Sequence, residues 1–245
     1  MRKAHVKFGT VLRRGTRGVE WSVTNPSSNW LVRRESEWLG DPALLAECLG
    51  SPDGLGSLGP AVWSARQQPV EDLASLRGAL EQYCSGTLVA VELPVIRRAF
   101  HHASRYELRE MLELDRSLAA ETALSDFAFA SQAVGRAFLH RLRPLRDLRL
   151  VRRYELAVQT GQAHGWHTIV YGLVLSIYSI PLRQGLVSYA RQTLHGFVEA
   201  GGSRLRLPVS DLRALADELL TPIPPVVHRL LEPGIRCLPD RSDAV

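Results

Sequence analysis

The sequence predicts an all-α protein: a single-domain bundle of about eight to ten helices, resting on three observations. Apolar residues recur at three-to-four spacing through successive segments from Val70 onward. No stretch sustains the period-two alternation of a half-buried strand. The breaks between periodic segments carry helix punctuation: capping residues, glycines and prolines.

The elements follow in order. Asp41-Pro42 pairs an N-cap with a proline at the first helical position, and Gly50 closes the ALLAECL run behind it. SPDGLGSLGP (51 to 60) is loop by composition. Val70 to Tyr83 places Leu73, Leu76, Leu80 and Tyr83 on one helical face. Leu88 to Ala103 repeats the pattern around Pro94, which predicts a kink or break there. Tyr106 to Leu118 and Ala123 to Arg143 read as further helices. The second carries a clear stripe of Leu124, Phe127, Ala128, Ser131, Val134, Gly135 and Phe138. GWHTIVYGLVLSIYSIPL (165 to 182) has no formally charged residue. Its apolar part runs for about 13 residues, the length of a core helix rather than of a membrane span. After Pro181 a long helix to Glu199 sets Leu182, Leu186, Tyr189, Thr193 and Phe197 against Arg183, Gln184, Arg191, Gln192, His195 and Glu199, with Gly201-Gly202 as its expected end. Ser210-Asp211 opens a short helix to Leu220, and TPIPP separates it from a last helical turn at Val226 to Leu231. This organisation predicts a leader over 1–40, a helical domain over 41–232 and a tail over 233–245.

With 245 residues, 45% of them hydrophobic, the chain is long enough to bury a sizeable core. Cys48, Cys84 and Cys237 form no CxxC pair and leave an odd thiol, which argues against a disulfide framework and a structural zinc site. The first residues lack the apolar stretch of a secretory signal, so a cytoplasmic protein without a membrane segment is expected. The net charge of +5 is uneven: residues 1 to 34 hold eight basic side chains and Glu20, leaving 22 basic and 24 acidic for the remainder. The basicity is therefore an arm on a near-neutral body. With Trp21 and Trp30 interleaved, such an arm suits nucleic acid or an acidic partner, while a disordered leader explains the same composition.

Chemistry is scarce. Gly54, Gly56 and Gly59 spell GxGxxG, but a capped helix precedes them where a dinucleotide site needs a strand. His101-His102 point about 100° apart on a helix, which is poor geometry for one ion. His164 and His167 form a second pair, for which solvated or core positions compete with a ligand role. Arg141, Arg143, Arg146, Arg149, Arg152 and Arg153 alternate with leucines, a guanidinium strip suited to bidentate carboxylate or phosphate contacts or simply a solvated face. There is no GxSxG elbow and no paired carboxylate in a loop, so no enzyme and no cofactor is expected.

Several of these segments together resemble the UreF family of urease accessory proteins. The block WHTIVYGLVLSIYSIPLRQGLVSYARQTLHGFVEA is similar to that family's central signature, with Tyr171-Gly172, Ile180-Pro181-Leu182 and Tyr189 on matching positions and His167 beside the family's histidine. Upstream, Leu114-Asp115 followed by Ser131, Gly135 and Arg136 resembles its Leu-Asp and Ser-x-x-x-Gly-Arg elements. The resemblance extends over roughly 70 to 215, aided by ASLRGALEQY and LVAVELPVIRRAF. SRLRLPVSDL keeps Arg204 and Pro208 of a family turn without its Gly-Gln, and IRCLPDRSDAV stands where the family has a basic-Leu-Phe element.

The spacing itself gives Ser131 and Gly135 a reason: one turn apart in an apolar stripe, they remove bulk so that another backbone approaches closely. Gly172 does the same in the most apolar helix. The resemblance implies an adaptor that joins a UreD/UreH-type partner and a UreG-type GTPase on the urease apoprotein during nickel insertion, with a homodimer left open. Partner-binding or structural candidates are then Ser131, Gly135, Arg136, Arg146, Arg149, His167, Tyr171, Gly172, Tyr189 and Arg204. The alternatives are a helical interaction module without a urease role and a nucleic-acid-binding module using the arm. Nucleic acid is the less expected partner.

Overall fold

The computed structural model describes residues 70–142 and 149–232. The leader, the helix expected at Asp41 to Gly50, the GxGxxG loop, residues 143–148 with Arg143 and Arg146, and the tail lie outside the described residues.

Among the described residues the chain is helical throughout, with no strand. Helix α1 (Leu73–Tyr83) starts at a reciprocal cap: the Ser75 amide donates to Asp72 Oδ1 at 2.8 Å while the Asp72 amide donates to Ser75 Oγ at 3.0 Å. It runs through a π-helical stretch, Cys84–Glu92, directly into α2 (Leu93–Ser104). Here the structure corrects the expected kink at Pro94. The chain widens to i→i+5 bonding before the proline, as in Leu93 N–H to the Leu88 carbonyl, and Pro94 then sits in the first turn of α2, where its missing N–H costs little.

Helix α3 (Leu108–Ser117) is followed by two 3-10 turns, Leu118–Ala120 and Thr122–Phe127, so the helix expected from Ala123 begins only at α4 (Ala128–Arg141). Next come α5 (Arg149–Gln159), α6 (His167–Ile177), α7 (Leu182–Leu205), α8 (Val209–Leu220) and α9 (Ile223–Leu231).

Helix α6 is the centre. Every residue from His167 to Leu175 is buried, and the helix packs on α2 and on α4. Its contact with α2 is backbone to backbone: a Cβ added at Gly172 would stand 2.7 Å from the Ile96 carbonyl oxygen and 3.0 Å from the Phe100 nitrogen. No described helix is long and apolar enough to cross a membrane. Helix α7 packs against α1, α2, α8 and α9 through Leu186, Tyr189, Thr193 and Phe197, the face its periodicity marks.

The end of α7 departs from expectation. Gly201 and Gly202 do not stop it. They are buried, and Cβ atoms there would press to about 2.5 Å against Leu76 Cδ1 and Leu212 Cδ2. These glycines admit leucines from α1 and α8. The helix ends four residues later at Arg206, which takes the left-handed conformation (φ 55°) while Leu207 N–H donates to the Gly202 carbonyl at 3.0 Å.

Candidate functional site

The most specific arrangement surrounds the link between α5 and α6. Helix α5 closes through Gly161 (φ 75°), with Gln162 N–H donating to the Ala157 carbonyl at 2.8 Å. A second left-handed glycine, Gly165 (φ 75°), then turns the backbone so that consecutive amides point the same way. They point at Asp115 of α3. Its carboxylate, fully buried, accepts from His164 N at 2.5 Å, Gly165 N at 3.1 Å, Trp166 N at 3.3 Å and Tyr154 Oη at 2.6 Å. A fixed negative charge in front of the first turn of α6 also suits that helix's dipole.

From the opposite side, Arg136 Nε donates to the His164 carbonyl at 3.0 Å. The segment is thus held by its amides and by its carbonyl at once. Gly135 completes the grip: a Cβ there would lie 2.7 Å from His167 N, 2.8 Å from Trp166 C and closer still to the Gly165 oxygen. Ser131, one turn earlier, is buried on the same helix. The structure therefore brings Gly135 and Arg136 against the segment that leads into α6, with Ser131 buried one turn earlier on α4. Asp115 is the residue that sequence reasoning passed over as a site. Its signal is the Leu114-Asp115 pair, a carboxylate on the apolar margin of an amphipathic helix.

Inside this grip lies an aromatic cluster. The His167 ring stacks on Tyr189 (centroids 5.7 Å apart, 27° between planes) and meets Tyr171 edge-on at 5.9 Å, while Tyr171 and Tyr189 meet at 5.0 Å. Tyr171 Oη donates to the Gly185 carbonyl at 3.1 Å. Tyr83 Oη donates to Glu92 Oε2 at 2.5 Å, and Tyr189 bonds the same carboxyl group. Burial pushes Glu92 up to about 7, opposed by its two tyrosine partners, and burial lowers His167 to about 4. His167 is therefore a neutral ring at physiological pH, with Nδ1 buried and lacking a hydrogen-bond partner among the described residues.

The histidine pairs do not converge on an ion. His164 lines the outer surface, whereas His167 lies in the core. His101 is exposed, and His102 Nδ1 bonds Glu107 Oε2 at 2.8 Å. No group of three or more His, Cys, Asp or Glu suited to a metal occurs among the described residues. Outside the grip, Arg136, His140, Glu155, Gln159 and His164 border an open groove of about 580 Å³ between α4 and α5. Of the remaining candidates, Arg149 is exposed on α5, Arg204 is exposed in the last turn of α7, and Gly172 is buried against α2.

A search of curated proteins returns no match. The family model of UreF matches residues 70–206. That span contains the α6 core, the Asp115 nest and the crossings at Gly135 and Gly172. Because the match covers more than half of the sequence, the chain belongs to the UreF family of urease accessory proteins.

Proposed function

We propose that the protein is a cytoplasmic, non-catalytic adaptor in urease metallocentre assembly, bridging a UreD/UreH-type partner and a UreG-type GTPase while nickel is inserted into the urease apoprotein. The observation that carries this reading is the family match over 70–206. The architecture supports it physically. An adaptor must present fixed surfaces, and the Asp115 nest, the Arg136 bond and the glycine crossings remove local freedom from the link into α6. Ser131, Gly135, Arg136, His167, Tyr171, Gly172 and Tyr189 then act by holding the scaffold. Arg149 and Arg204 lie on surfaces where a partner has access.

The test is co-expression of the tagged full chain with UreD/UreH-type and UreG-type proteins and the urease apoprotein. A stable complex, and loss of urease activation when the gene is removed, are expected. Failure to retain any accessory protein, with urease activation intact without the gene, overturns the proposal.

A further inference from the structure

Helix α5 opens with a concentration of charge that its own structure opposes. Arg149, Arg152 and Arg153 are exposed at its amino-terminal end, and its first turn has no acidic residue. Cations are disfavoured at that pole of the helix dipole, and like charges four apart, such as Arg149 and Arg153, repel. None of the three has a carboxylate within ion-pair distance among the described residues, although Arg77 is paired with Glu218 and Arg109 with Glu113. The same face ends in Leu156, which leaves 57% of its surface in solvent. Beside it runs the groove to which α4 contributes Arg136 and His140.

We infer that this face of α5, with the adjoining groove, docks an acidic segment of a partner protein, carboxylates lying on Arg149, Arg152 and Arg153 and an apolar side chain on Leu156. Guanidinium groups take carboxylates through paired N–H donors, and an external acid relieves both the dipole conflict and the mutual repulsion. The strip from Arg149 to Leu156 spans about 10 Å along the axis, room for two or three carboxylates of an extended chain. A protein segment fits better than nucleic acid. Leu156, 57% exposed beside the arginines, gives a phosphate backbone nothing to bind, whereas a peptide can set an apolar side chain on it. The inference deepens the adaptor reading, from which it takes only that the partner is a protein.

The test uses the full chain and a fluorescently labelled peptide of alternating Glu-Glu-Leu repeats, with a Lys-Lys-Leu peptide and a single-stranded oligothymidylate as controls. The acidic peptide should bind saturably and in a salt-dependent way. The double variant Arg152→Glu with Arg153→Glu should lose at least about tenfold in affinity and gain the lysine peptide, a swap that a merely structural role would not produce. Leu156→Ser should weaken the acidic peptide several-fold. Thermal melts should show every variant folded at the assay temperature, with the double variant melting no lower than the parent protein because glutamates suit that pole of the helix. Absence of binding, equal binding by the double variant, or tighter binding of the oligothymidylate overturns the inference. Retention of the urease accessory proteins by the double variant at the parent's level also overturns this surface, while leaving the accessory role standing.

Discussion

Glu92 and His167 sit on either side of Tyr189, which bonds the first and stacks on the second, and their titrations pull stability in opposite directions. Burial holds the Glu92 carboxyl at about 7 in the fold, against the ordinary glutamate value of 4.5. Its contribution is therefore complete below pH 4.5 and lost as the pH rises through about 7, because the unfolded chain ionises first. His167 falls from 6.5 to about 4, so its contribution is complete above pH 6.5 and lost as the pH falls through about 4. Each shift corresponds to roughly 3 kcal/mol at full development. Urea unfolding of Glu92→Gln and the parent protein at about pH 5 and about pH 7.5 isolates the first effect. The variant should gain on the parent by roughly 2 kcal/mol between the two. A constant difference would show that Glu92 is not held protonated by burial.

Glycines within helices divide by what lies opposite them. Gly78, exposed on α1, has nothing within 4 Å of an added Cβ, whereas Gly135 on α4 faces the backbone of 165–167. Gly78→Ala should stabilise by about 0.5 to 1 kcal/mol through helix propensity and the entropy of the unfolded chain. Gly135→Ala should destabilise by roughly 1 to 3 kcal/mol, because the obstacle is backbone rather than a side chain that can turn away. Thermal melts of the two single variants check both signs. A neutral Gly135→Ala would mean that α4 and the start of α6 separate freely. Helix ends obey a related logic: Tyr106, Ser179 and Arg206 all adopt the left-handed conformation at helix termini without being glycine. Their ends are closed by carbonyls of the preceding helix, as where Ile180 N–H donates to Leu175 O at 2.9 Å.

For the whole molecule, the uneven charge predicts that the stretch from 1 to 34 adds nothing to the stability of the fold. Residues 1 to 34 hold a net formal charge of +7, and they show no apolar period. Ordering such a segment costs conformational entropy without burial to offset it. Deleting 1 to 34 should therefore leave the melting temperature and the helical circular dichroism of the protein unchanged. A fall of more than about 5 °C, near 1 kcal/mol or more for a chain of this size, would make the arm part of the fold.

Periodicity alone determined the all-α class, the burial of α6 and the inward face of α7, because these depend on the order of apolar and polar side chains along one helix. Ser131 and Gly135 likewise mark a close crossing by their spacing. What crosses there, the amides leading into α6, was decided by the tertiary structure. So was the role of Asp115, whose four donors come from residues 39 to 51 positions away. No local pattern separates a buried carboxylate with such partners from one on a solvated helix face. Gly201-Gly202 shows the same limit: two glycines after an amphipathic run read as a stop, yet Leu76 and Leu212 pack onto them and the helix continues to Leu205. Sequence sets which side chains seek burial, while the partners that satisfy a buried charge or fill a glycine's space belong to distant segments and exist only once the chain has packed.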